Sequence, residues 1–217
     1  MIVRATQDLA PDTEITFWYQ VPHFDGYSDR QKKFRTWGFQ CDCSMCQDDK
    51  RTDETVVAKR KSLRAEAKKC LQSRKNPDTS KLEKVITSIA KTYTQSAPEV
   101  PRLTTWDPLF AMAQMYMSQK QPTKAIESAL RCLASLGYVI EGGKDAPLVI
   151  RRWGLMQNKL IECWMLICVA YHVLSQQSCE VQAYEYAKIS YRICVGEDET
   201  FEETHGKLAD LYSGSLY

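Results

Sequence analysis

Two rhythms of apolar residues divide the chain near residue 50. Before it, the short segments Ile2–Thr6 and Glu14–Tyr19 are rich in β-branched and aromatic residues, the types that fit a pleated surface. A turn over Leu9–Thr13 separates them, so a pair of strands is expected, closed by Pro22 and Gly26. Ser28-x-x-Gln31 has the form of a capping box and predicts a short helix. Gly38 suits the position just past its end.

After residue 50 the period is helical. Segment 53–75 spaces Val56, Val57, Leu63, Ala67 and Leu71 among lysines and arginines. Segment 80–95 opens on a second capping box, Ser80-x-x-Glu83, and sets Leu82, Val85, Ile86, Ile89, Ala90 and Tyr93 on one stripe. Asp107-Pro108 predicts the next helix start, with Asp as cap and Pro in the first turn. Its stripe is Leu109, Met112, Ala113, Tyr116 and Met117. A turn over 119–122 leads to a helix carrying Ile126, Ala129, Leu130 and Leu133. Gly137 to Pro147 reads as the longest loop. Three further stripes follow: Leu160, Cys163, Trp164, Ile167, Cys168, Tyr171; then Tyr184, Ala187, Tyr191, Cys194; then Phe201, Leu208, Tyr212. About seven helices are expected beyond residue 50. The pairs 107–119/122–136 and 155–175/180–195 have tetratricopeptide-like lengths, although the consensus letters of that repeat are mostly absent.

Composition narrows the partners. The 217 residues suffice for one or two domains. Lys and Arg number 29 against 27 Asp and Glu, a net charge of +2, so nothing global draws the chain to nucleic acid or an anionic membrane. Residues 51–75 do hold nine Lys and Arg against three acids. A solvated helix face accounts for them, and no aromatic interleaving supports a nucleic-acid surface. The longest apolar run, Cys163 to Tyr171, is nine residues, short of the roughly 18 a membrane helix needs. The first 20 residues lack a basic start followed by an apolar block. A reducing compartment, cytoplasm or nucleus, is therefore expected. Six of the nine cysteines, Cys70, Cys132, Cys163, Cys168, Cys179 and Cys194, then read as small core residues.

The other three form Cys41-x-Cys43-x2-Cys46, the sharpest chemical signal in the chain. Three thiols so close can converge on one ion if the backbone turns tightly, and thiolate sulfur suits zinc. A structural zinc takes four ligands. His23 and Cys70 are candidates within the chain, but neither has a compelling spacing, and a ligand from a further segment fits better. Met112, Met115, Met117 and Tyr116 read as core packing, and His172 and His205 as structural. No Gly-x-Gly-x2-Gly, Walker-type or Ser/His/Asp pattern is present.

The run Ala5-Thr6-Gln7-Asp8-Leu9, followed by Asp12-Thr13-Glu14-Ile15-Thr16-Phe17-Trp18-Tyr19, resembles the last strands of a SET domain. Arg30 to Phe39 and the three-cysteine motif then resemble the post-SET zinc module. The order is similar to that of SET-domain protein-lysine methyltransferases of the SET–MYND (SMYD-like) branch, and to related fungal SET/tetratricopeptide proteins. The close match covers about residues 2–46; beyond it only the helical layout agrees. Asp12-Thr13-Glu14 departs from the family's usual Gly-Glu-Glu, which alters a turn.

The resemblance implies a mainly α fold in three parts. Residues 1–22 would be the C-terminal strands of a SET domain, a small β remnant. Residues 23–50 would be the post-SET zinc module, and 51–217 a helical tetratricopeptide-like domain. It implies Tyr19 as the catalytic tyrosine, Trp37 as a wall of the lysine channel, and Phe39 as the aromatic against the cofactor adenine. Cys41, Cys43 and Cys46 would be zinc ligands. The cofactors implied are zinc and S-adenosylmethionine, and the partner is a protein substrate with a target lysine. A protein partner on the helical domain is also expected. The family's Asn-His-x-Cys segment, which supplies cofactor contacts and the fourth zinc ligand, lies upstream of the match, so this segment is not expected to methylate alone. The alternative from a different class is a non-catalytic helical-repeat interaction module stapled by a zinc knuckle. A third reading, a nucleic-acid-binding knuckle, would show salt-dependent binding.

Overall fold

The computed structural model describes residues 10–13, 26–72, 78–143, 146–157 and 159–206. The expected strands over 2–6 and 14–19 lie outside the described residues, as do Tyr19 and His23. Of that region the turn is described. The Thr13 N–H and hydroxyl both donate to the Ala10 carbonyl, at 3.2 and 2.7 Å.

The fold is mainly α, as the apolar period predicts. Near the N-terminus come α1 (Tyr27–Phe34), a 3-10 turn over Arg35–Trp37, and α2 (Ser44–Arg51). Then follow α3 (Glu54–Gln72), α4 (Thr79–Ala90), α5 (Leu103–Ser118) and α6 (Pro122–Ser135). A two-stranded antiparallel hairpin, β1 (Val139–Glu141) and β2 (Val149–Arg152), interrupts the helices. Helices α7 (Leu160–Val173) and α8 (Gln177–Val195) follow, and then one π-helical turn over Glu202–Gly206. Leu208 and Tyr212 of the last expected stripe lie outside the described residues. No described helix is long and apolar enough to cross a membrane.

The helices pack as antiparallel pairs, α3 on α4, α5 on α6 and α7 on α8, with α6 also packed on α7. The last two pairs share one turn. In the first, Lys120 has φ 57° and Gln121 N–H donates to the Tyr116 carbonyl. In the second, Ser175 has φ 56° and Gln176 N–H donates to the Tyr171 carbonyl. A left-handed residue followed by glutamine thus closes both pairs and satisfies the same orphan helix carbonyl. Repetition exists at the level of the turn, although the sequence lacks the repeat's consensus letters.

Helix α7 is apolar all round, with every residue from Cys163 to Tyr171 buried. Such a helix has to be surrounded. α6 and α8 flank it, and aromatic rings carried by the hairpin region lie against it. Tyr138, Trp153, Tyr186 and Trp164 form a closed circuit of ring contacts with centroids 5.1–6.5 Å apart. The Tyr186 hydroxyl accepts from Ile150 N–H and donates to the Leu148 carbonyl, both at 3.1 Å. A Cβ at Gly154 would lie 2.6 Å from the Leu136 carbonyl oxygen and 2.4 Å from the Tyr138 ring, so the chain passes there only as glycine.

Several boundaries differ from those expected. The segment Gly137–Pro147 is not all loop: its start forms β1, which pairs with β2. Helix α4 is capped by Asp78, whose carboxylate accepts from Lys81 N–H at 2.9 Å. Ser80 therefore sits in the first turn. Helix α5 begins at Leu103, so Pro108 lies inside it and Asp107 is no cap. The N–H that Pro108 lacks would have met the Thr104 carbonyl. Burial of Leu103, Trp106, Leu109 and Phe110 on both sides of that gap offsets the loss. All nine cysteines are free thiols. Cys132, Cys163, Cys168 and Cys179 are buried and Cys70 is half-buried, but Cys194 is exposed near the end of α8.

Candidate metal centre

Three sulfurs converge at the start of α2. The Sγ atoms of Cys41, Cys43 and Cys46 all lie within 4.8 Å of one another. Sulfurs on one tetrahedral zinc, each about 2.3 Å from the ion, would stand roughly 3.8 Å apart, so a small closure brings this set to coordination distance. Among the described residues no fourth His, Cys, Asp or Glu joins the group. Cys70 packs from α3 onto the helical core and is not part of it.

Local structure explains the convergence. Gly38, at φ 72°, ends the 3-10 turn and reverses the chain. Cys43 occupies the N-cap position of α2, its carbonyl accepting from Gln47 N–H at 2.9 Å. Cys46, three residues on, falls on the same helix face. Cys41 is brought in by Gln31. The Gln31 amide donates to the Cys41 carbonyl at 3.0 Å and accepts from the Cys41 N–H at 3.1 Å. It also reaches the Cys46 sulfur at 3.7 Å. The expected Ser28–Gln31 capping box does not form, because Gln31 spends its hydrogen bonds on the cysteine loop; the N-cap is Gly26.

The electrostatics concentrate thiolate character on one sulfur. The Cys43 thiol and the Arg30 guanidinium hydrogen-bond Cys46 and hold its pKa below the ordinary thiol value, although burial opposes them. Its bond to Cys46, together with burial, drives Cys43 well up. Burial, and the neighbouring Cys43, raise Cys41. Three adjacent thiols cannot all ionise without a cation among them. The residues present therefore fit a divalent, thiophilic ion: compact sulfur donors, a helix N-terminus and N–H groups aimed at the buried sulfur, the outer hydrogen bonds that tune metal-bound thiolates.

The knuckle is tied to the helices behind it. Asp49 accepts from Arg30 at 2.6 Å and from Arg60 of α3 at 3.4 Å, and Asp48 accepts from Arg60 at 3.2 Å. Arg60 is 5% exposed, so the expectation that the basic residues of 51–75 form a solvated face fails at this position. Its inward turn is visible in retrospect as an apolar spacing, since Arg60 falls three residues after Val57 and seven before Ala67. Sequence reasoning missed Arg30, Gln31, Asp48 and Asp49 as well. Trp37 is 57% exposed and Phe39 38%; Phe39 packs on Phe34 with ring centroids 5.2 Å apart. Between the knuckle, α3 and the start of α5 lies a cavity of about 500 Å3, bordered by Arg30, Asp49, Arg60, Tyr93, Leu103 and Thr104.

Fold and site together define a protein of stacked helical pairs with a three-cysteine knuckle at its N-terminal side. No family model matches the chain. It is 32% identical over 209 residues to a Gibberella zeae protein named methyltransferase. That alignment takes in 93% of this chain, which spans 29% of the relative's length.

Proposed function

We propose that residues 1–217 contribute the end of a SET domain, a post-SET zinc module and a helical tetratricopeptide-like domain to an S-adenosylmethionine-dependent protein-lysine methyltransferase of the SMYD-like kind. The similarity across nearly the whole chain to a protein named methyltransferase carries this reading. Two details support the SET assignment. The three cysteines that match the post-SET motif converge in space. Asp12, where the family has glycine, adopts φ 62°, a left-handed conformation that glycine prefers and Asp tolerates.

In this reading Cys41, Cys43 and Cys46 hold zinc, which fixes the knuckle. S-adenosylmethionine, when bound, supplies the methyl group. Methyl transfer is an in-line displacement, so orientation dominates. The Tyr19 hydroxyl would hydrogen-bond the target amine and hold its lone pair on the methyl carbon. Trp37 would line the channel, where an aromatic face favours the lysine cation before it gives up its proton. Phe39 would pack on the adenine.

The test uses the full-length protein. Tyr19→Phe is expected to lose most methyl transfer to a lysine-containing protein substrate while keeping its zinc. Unchanged turnover removes Tyr19 from the mechanism. Absence of S-adenosylmethionine binding by the wild type would favour the interaction-module reading instead. A second outcome concerns pH. Cys41 and Cys43 hold their protons above the ordinary thiol range, so zinc must displace them. Loading should release protons, and affinity should rise from pH 6.5 to pH 8; zinc competition titrations in two buffers of different ionisation enthalpy measure both. Flat affinity across that interval would exclude thiol ligation.

A further inference from the structure

Helix α2, eight residues long with Cys43 as its N-cap, joins the cysteine cluster to a pair of carboxylates. Cys43 and Cys46 lie at its start, and Asp48 and Asp49 lie toward its end. A helix this short is unstable alone, because nucleation costs more than its few bonds return. It has to be held from outside, and the structure holds it at both ends. At the start are the cysteine cluster and the Gln31 clamp. At the end is Arg60.

Arg60 is unusually committed. Its Nη1 donates to Asp48 at 3.2 Å and to Asp49 at 3.4 Å. Its Nε donates to the Thr92 hydroxyl at 3.0 Å, and its Nη2 to the Thr92 carbonyl at 2.8 Å. The guanidinium lies 3.7 Å over the Tyr93 ring centroid, and Tyr93 is in turn fixed by a 2.7 Å bond between its hydroxyl and that of Thr104 on α5. On the knuckle side, Asp49 is shared with Arg30 at 2.6 Å, and Arg30 also donates to the carbonyl of Met45, the residue before Cys46, at 3.4 Å. A continuous chain thus runs from the Met45 carbonyl, beside Cys46, through Arg30, Asp49 and Arg60 to Thr92 and Tyr93 just after α4 and on to Thr104 of α5.

We propose that Arg60 is a positioning residue that couples metal binding at the cysteine cluster to docking of the knuckle on the helical layer. The inference rests on the cysteine cluster being a zinc site. When α2 loosens on metal loss, Asp48 and Asp49 withdraw and leave a buried guanidinium without its carboxylates, a strongly unfavourable state. Arg60 then leaves Thr92 and Tyr93, and the knuckle that carries Trp37 and Phe39 comes away. Coupling of this kind is reciprocal: what the metal does to the Arg60 contacts, the Arg60 contacts do to metal affinity.

The experiment compares the protein with its Arg60→Met, Asp49→Asn and Lys59→Met variants. Zinc affinity is read by chelator competition, and hydrogen exchange is followed by mass spectrometry. Arg60→Met and Asp49→Asn should each weaken zinc binding by about threefold or more, below the roughly 10–100-fold expected for a group that bonds a metal ligand directly, since both act one contact further out. Lys59→Met, an exposed change on the same helix, should not. In the wild type, zinc loading should slow exchange at Lys91–Gln95, although no ligand lies there. Far-UV circular dichroism checks that the helices persist; if Arg60→Met fails to fold, Asp49→Asn and the wild-type exchange carry the test. Stoichiometric zinc binding with equal affinity in wild type and Asp49→Asn, and equal exchange at Lys91–Gln95 with and without zinc, overturns the coupling and leaves the zinc site standing. A wild type that binds no zinc overturns both.

Discussion

Cys46→Ser should abolish stoichiometric zinc binding while leaving α4–α8 folded. Cys46 is 2% exposed, receives the Gln31 amide N–H on its sulfur at 3.7 Å, and has its pKa lowered by the neighbouring Cys43 and Arg30. Serine keeps the size but offers a hard oxygen that zinc takes poorly in such a site. Losing an outer partner of a ligand already costs about 10–100-fold in affinity, so losing the ligand itself should exceed the upper figure. The helices keep their fold even when the knuckle loosens, because the main apolar cluster runs from Ala67 of α3 to Phe201 and includes no residue of α1. Metal analysis of the purified protein, with chelator competition, gives the answer. Cys70→Ser is the control and should retain full zinc. A Cys46→Ser protein that still carries one tightly held zinc would exclude this cluster as the metal centre.

Trp164→Ala should be the most damaging single truncation in the helical layer, at about 3–5 kcal/mol. Trp164 is fully buried at the centre of α7. Its indole contacts both Tyr138 and Tyr186, the rings that carry and clasp the β-hairpin. The cavity left would open the ring circuit and loosen the hairpin with it. Native proteins have only about 5–15 kcal/mol in hand, so the urea midpoint should drop sharply. Trp164→Phe should be much milder. The indole Nε1 is buried without a hydrogen-bond partner, so phenylalanine gives up volume but also removes an unsatisfied donor. Equilibrium unfolding of the two variants against wild type tests the pair. An alanine variant within about 1 kcal/mol of wild type, the average effect of any substitution, would mean that the circuit contributes little.

The features legible in the sequence were those that repeat or crowd along the chain. The stripe Leu82, Val85, Ile86, Ile89 lies buried on one face of α4, and the stripe Leu160 to Tyr171 lies on α7, because a helix returns to the same face every three or four residues whatever surrounds it. Cys41, Cys43 and Cys46 were legible because their crowding is itself the signal. Other features needed partners distant in sequence. Gln31 reads as a cap from its neighbours, yet it bonds the loop at Cys41. Pro108 reads as a helix start, yet burial of Leu103 and Trp106 carries the helix past it. The strands at Val139–Glu141 and Val149–Arg152 are too short to show a period, and they exist because Tyr186 and Tyr171 anchor the segment between them. Arg60 reads as one solvated charge among nine, and only the meeting of α2, α3 and the end of α4 turns it inward. Backbone periodicity and residue crowding belong to the local chain and could be read there. The partners of Gln31, Arg60 and Tyr186 were chosen by tertiary packing, since a buried polar group takes whatever complement the fold brings within hydrogen-bond reach.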